Sequence, residues 1–145
     1  MSAKLKVKDI KKNFGINVVK AGFILGSGLS NAIPLKDKIT IDYNDIDGFN
    51  IPSVTGHSGK LVIGTIKKKS FAILSGRTHF YENGKADTMR TPIKILKDLG
   101  VEKLVLTNAA GSLRSNIPTG SIMIIKDHIN FSGLNPLIGE NSEER

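Results

Sequence analysis

Three apolar runs in this chain end in polar turns whose residues could hold an anion. Phe23-Ile24-Leu25 leads into Gly26-Ser27-Gly28, Phe71-Ala72-Ile73-Leu74 into Gly76-Arg77-Thr78-His79, and Leu104-Val105-Leu106 into Thr107-Asn108-Ala109-Ala110-Gly111. Loops beyond the carboxyl ends of strands are where open α/β sheets bind ligands. Ser27 offers a hydroxyl between glycines, whose missing side chains let an anion approach the backbone amides, that of Gly28 included. Arg77 and His79 stand two apart, so on extended backbone they project to the same side. They pair a guanidinium suited to bidentate grip on phosphate with an imidazole that a nearby dianion favours in its donating form. Asn108 presents an amide among residues small enough to admit a planar ring or a phosphate to the main chain.

Taken singly, each of these features has an ordinary reading. Gly-Ser-Gly is a common strand-to-helix turn, an asparagine at a strand end is usually a turn former, and an arginine near a half-buried histidine is often just surface. His57, in Gly56-His57-Ser58-Gly59 before a strand, would by itself be a solvated turn residue. Asp127 and His128, without a nucleophile, read as structural hydrogen-bonding groups. There is no HExxH, no cysteine–histidine cluster and no EF-hand-like acidic loop, so no metal is expected.

For the three turns to meet, the runs before them must be strands of one sheet. Val7, Ile10 and Phe14 share one face of a helix that Gly15 closes. The first strand is Phe23–Leu25. A second spans Ile39–Tyr43 within the loop-rich stretch from Pro34 to Pro52, and Leu61–Ile66 with Ser70–Leu74 forms an antiparallel hairpin. Met89, Ile93, Leu96 and Leu99 recur at helical spacing, with Asp87 or Thr88 as the cap, Gly100 as the stop and Pro92 shortening or bending the first turn. Strands at Lys103–Leu106 and Ser121–Ile125 complete an α/β fold with a mixed central sheet flanked by helices.

The 145 residues are the size of one domain. No run approaches the ~20 apolar residues of a membrane span, the amino terminus lacks a signal-peptide core, and there is no cysteine. A soluble cytoplasmic protein without a membrane partner is the expectation. A net charge of +8 favours anionic ligands and permits loose nucleic-acid binding. The lysine clusters at 4–12 and 67–69 read as solvated faces. With two tyrosines and no tryptophan, there is little to stack on bases, so no specific nucleic-acid partner is expected.

The turns belong to a longer string: ILGSGLS, VTGHSGKLVIG, SGRTHFYE, LVLTNAAGSL and IMIIKDHINFSGLNPL. From about Phe23 to about Asn141 this string resembles the trimeric purine nucleoside phosphorylases, with five blocks in the family's order. The resemblance implies reversible phosphorolysis of a purine nucleoside to free base and ribose 1-phosphate, with phosphate as co-substrate, no cofactor, and a homotrimeric assembly. It implies that Ser27, Gly28, His57, Arg77, His79, Asn108 and Ala109 hold phosphate. Tyr81 then lies toward the ribose, Ala110 and Gly111 wall the base, and Glu82 orients His79, so that His57, His79 and Glu82 form the catalytic set. The block around Asp127 and His128 supports the pocket and the subunit contact.

Two positions depart from the family pattern: Asn83-Gly84 where Gly-Tyr is usual, and Ser112 where glycine is common. Family members are considerably longer, so residues 1–145 resemble the amino-terminal part of a single phosphorylase domain without its carboxyl-terminal half. The alternatives are a methylthioadenosine phosphorylase and a non-catalytic phosphate- or nucleotide-binding module.

Overall fold

A computed structural model describes residues 4–26, 28–29, 32–49 and 58–139. The elements run α1 (Val7–Asn13), β1 (Val19–Leu25), β2 (Lys36–Asp42), a 3-10 turn (Tyr43–Asp45), β3 (Lys60–Ile66), β4 (Lys69–Ser75), α2 (Phe80–Asn83), α3 (Arg90–Asp98) and β5 (Lys103–Leu106). The strands form one mixed sheet in the order β2-β3-β4-β1-β5. β1 pairs in parallel with both β4 and β5, whereas β3 runs antiparallel to its neighbours β2 and β4. The carboxyl ends of β1, β2, β4 and β5 therefore share one edge of the sheet with the start of β3.

The β3–β4 hairpin forms as the two paired apolar runs predict, but its turn is tighter. Lys69 pairs with Ile66, which leaves Lys67 and Lys68 as a two-residue connection with φ of 48° and 63°. This is the left-handed geometry that matches the twist of flanking strands.

One face of the sheet carries the main core. Ile24, Ile41, Leu61, Ile63, Ala72 and Leu74 pack there against Ile10 of α1 and Ile95, Leu96 and Leu99 of the α3 region. Leu25, Leu35 and Ile73 anchor a smaller cluster containing Phe23, Val62 and Phe71. β3 passes β2 so closely that a Cβ on Gly64 would lie 2.7 Å from the Lys36 carbonyl oxygen.

Three expectations need correction. α3 begins at Arg90 with Met89 at its cap and no side-chain cap; the Thr88 hydroxyl instead accepts a hydrogen bond from Asn83 Nδ2 at 2.8 Å. Pro92 then falls within the first turn, where backbone N–H groups have no helical partner, so it leaves the helix unbroken. The buried face is Pro92, Ile95 and Leu96, while Ile93 is 43% exposed. The predicted strand at Ser121–Ile125 does not form, and Ile122 and Ile124 are 95% and 91% exposed. An apolar run becomes a strand when a neighbour pairs its backbone and a second layer covers its side chains, and the described residues provide neither.

Candidate active site

The polar turns meet at the carboxyl edge of the sheet, and Thr107 joins them. Its N–H donates to the Ile24 carbonyl at 3.0 Å, and its hydroxyl accepts from the Gly26 N–H at 2.9 Å. These bonds fasten the β1 exit to the β5 exit. Its carbonyl accepts from Arg77 Nη1 at 2.6 Å, which fastens the β4 exit to both. A guanidinium has five N–H donors, so this anchor fixes the Arg77 side chain and leaves others to meet an anion. Among the described residues those others have no hydrogen-bond partner.

Thr78 is buried between the half-buried Arg77 and His79, the alternation expected of extended backbone. His79 retains that extended geometry, with φ −97° and ψ 155°, at the cap of α2. Its backbone N–H donates to Glu82 Oε1 at 2.6 Å, so the glutamate fixes the main chain from which the imidazole projects. The imidazole is stacked nearly parallel on the Tyr81 ring, with centroids 5.0 Å apart and planes 9° apart. Tyr81 is 72% exposed.

A second support lies beneath the β4 exit. The Tyr43 hydroxyl donates to the Gly76 carbonyl at 2.9 Å, in a buried contact. Burial pushes its phenol far above the usual tyrosine range, so it stays a neutral donor. Sequence reasoning missed both Tyr43 and Thr107. Thr107 was findable, because it stands between the last apolar residue of β5 and Asn108; Tyr43 left no local signal.

Asn108, Ala109, Ala110 and Gly111 follow β5 in open, exposed backbone, with Asn108 Nδ2 donating to the Ala109 carbonyl at 3.3 Å. Gly28 follows the β1 exit with φ of 80°. Ser27 and His57 lie outside the described residues. Ser58, the neighbour of His57, donates through Oγ to the Ser75 carbonyl at 3.1 Å. The antiparallel sense of β3 thus brings the segment before a strand to the same edge as the segments after the others. Asp127 and His128 are exposed, with the His128 N–H donating to Asp127 Oδ1 at 2.8 Å. Among the described residues no group of three or more histidine, cysteine, aspartate or glutamate side chains gathers to hold a metal, and no helix is long and apolar enough to cross a membrane.

The edge thus brings together backbone and side-chain donors, the Arg77 guanidinium and, at the start of β3, Lys60, groups of the kind that can hold an anion. Residues 20–145 match the family model described as the phosphorylase superfamily. The chain belongs to the phosphorylase superfamily. It is 44% identical over 126 residues to purine nucleoside phosphorylase 1 of Bacillus subtilis, an alignment covering 86% of this chain and 46% of the relative. The crystal structure of Schistosoma mansoni purine nucleoside phosphorylase in complex with inosine superposes with a TM-score of 0.74 at 40% identity, covering 93% of this chain and 46% of that one. A purine nucleoside phosphorylase in complex with ribose-1-phosphate superposes with a TM-score of 0.64 at 40% identity, covering 77% of this chain and 41% of that one. The chain therefore spans a little under half the length of the phosphorylases it matches.

Proposed function

We propose that this chain is the amino-terminal part of a purine nucleoside phosphorylase, and that the whole enzyme converts a purine nucleoside and phosphate to the free base and ribose 1-phosphate. The observation that carries this reading is the Arg77 guanidinium, anchored on Thr107 where three strand exits meet. The names of the relatives, and the inosine and ribose-1-phosphate in the matched structures, favour a nucleoside substrate over a methylthioadenosine one.

Phosphate is itself the nucleophile, so no serine or cysteine has to attack. A phosphate oxygen forms a bond to the anomeric carbon as the bond to the purine nitrogen breaks, and the departing base takes up a proton. The protein's task is to position the dianion and stabilise the positive charge that develops on the sugar. In this reading Ser27, Gly28, His57, Arg77, His79, Asn108 and Ala109 hold the phosphate. His57 and Tyr81 lie toward the ribose, Glu82 steadies His79, and Ala110 and Gly111 border the base. Groups that recognise the purine come from the portion of the relatives that this chain does not span. The whole enzyme acts as a cytoplasmic homotrimer, without a cofactor.

The test is a fusion of this chain to the matching carboxyl-terminal portion of the Bacillus subtilis relative, assayed with inosine and phosphate by coupling hypoxanthine release to xanthine oxidase. Phosphate-dependent release is expected. A fusion that folds and gives no such release would overturn the proposal.

A further inference from the structure

The edge of the sheet opposite the candidate site carries a row of lysines. Lys36 opens β2, Lys67 and Lys68 make the β3–β4 turn, Lys69 opens β4, Lys20 is the second residue of β1, and Lys103 opens β5. The strand order places them along one line, roughly 20 Å long at ~4.8 Å per strand. Lys36, Lys67 and Lys68 border a shared recess of about 640 Å³. Its carboxylate, Asp37, is engaged through Oδ2 by the Thr65 hydroxyl at 3.1 Å, and Glu102 flanks the far end beside Lys103. Among the described residues none of the row's lysines forms an ion pair.

The turn itself is unusual. Lys67 and Lys68 both adopt left-handed backbone, where a two-residue hairpin turn favours Asn-Gly and a lysine is strained. Two adjacent cations thus occupy positions where folding stability favours neutral residues, a local conflict of the kind that marks function.

We infer that this rim binds the phosphodiester backbone of a single-stranded nucleic acid without reading its bases. A line of point charges fits a thread-like polyanion. A bilayer presents a plane, and surfaces that adhere to one add a broad apolar face; here Val18 is the exposed large apolar residue next to the strand starts. Neither the strand starts nor the turn exposes an aromatic ring, so base stacking contributes nothing and binding is independent of sequence. The rim lies a strand length from the phosphate-holding edge, roughly 20 Å for seven residues, so the two sites can be filled independently.

The experiment is fluorescence anisotropy of the fusion protein described above with a fluorescein-labelled 20-nucleotide single-stranded RNA of mixed sequence, titrated at several salt concentrations, with all variants made in the same fusion. Binding on the order of 10⁻⁶–10⁻⁴ M, weakening steeply with salt, is expected. The Lys67→Asn/Lys68→Gly double variant relieves the backbone strain while removing two charges. It should melt no lower than the parent, bind about tenfold or more weakly at low salt, and show a log–log salt slope shallower by about 1.4, or about 0.7 per lost contact. Lys8→Gln/Lys12→Gln, on the exposed side of α1, removes the same charge elsewhere and should cost less than about twofold, since a distant charge contributes only to the screened general field. Equal losses in the two variants would reduce the effect to net charge and overturn the inference. So would no binding at low salt, or binding to phosphatidylserine vesicles with RNA left free.

Discussion

Replacing Arg77 by alanine in the fusion enzyme should weaken the use of phosphate far more than that of nucleoside. The side chain is held at 2.6 Å to the Thr107 carbonyl, so in the proposed site it would meet phosphate already oriented, with little rotamer freedom left to lose on binding. Hydrogen bonds to charged groups contribute roughly 1.5–3 kcal/mol each, and 1.4 kcal/mol is about tenfold in affinity. Losing one such contact should raise the phosphate Michaelis constant about tenfold, and losing a bidentate pair by considerably more. Arg77→Lys keeps the charge but not the fork, and should fall between the two. Thr78→Ala is the control, because that buried side chain faces away from its neighbours; it should lower the melting temperature and leave the phosphate Michaelis constant unchanged. Steady-state rates with phosphate varied at saturating inosine give the answer. An Arg77→Ala enzyme with wild-type phosphate dependence and turnover would remove Arg77 from the site and, with it, the reason for assigning phosphate to this edge.

The 145-residue chain alone should show negligible inosine phosphorolysis in the xanthine oxidase assay, because in the proposed reading the polar groups that recognise the purine are supplied by the portion of the relatives that it does not span. Sedimentation of that chain should reveal oligomers or aggregates, since Ile122, Ile124, Ile129 and Phe131 are each more than 80% exposed and such surface drives association; a clean, thermally stable monomer would contradict this. Gly64→Ala should destabilise the fusion by about 1–3 kcal/mol, read as a lower thermal midpoint, because the added methyl meets a backbone oxygen at 2.7 Å and Leu35 Cβ at 2.9 Å. The raised phenol of Tyr43 sets the sign of an alkaline effect. Its contribution to stability is intact below about pH 10, where a free tyrosine begins to ionise, and declines above it. Chemical denaturation of the parent and Tyr43→Phe should therefore differ by about 1 kcal/mol from the lost Gly76 bond near neutral pH, and the gap should narrow above pH 10; a constant gap would show that the phenol titrates normally.

Five of the six expected strands, the hairpin and the two longer helices were legible in the chain, because they depend on neighbours near in sequence. Two apolar runs separated by a short lysine turn marked the pairing of β3 with β4, the 3.6-residue period marked α1 and α3, and Gly15 and Gly100 terminated them. The spacing of Arg77 and His79 already required them to share a side, and the five motif blocks fixed the family. What the tertiary structure decided depends on partners distant in sequence. Thr107 became the junction of the site through bonds to Gly26 and Arg77, 81 and 30 residues away, and Tyr43 became its support through Gly76, 33 residues away. The run at Ser121–Ile125 has the composition of a strand, but strand formation is settled by a pairing edge and a covering layer, which no local pattern contains. The lysines of the opposite rim are scattered from Lys20 to Lys103, and only the strand order places them in one line. Side-chain chemistry is written locally, whereas its convergence is set by topology.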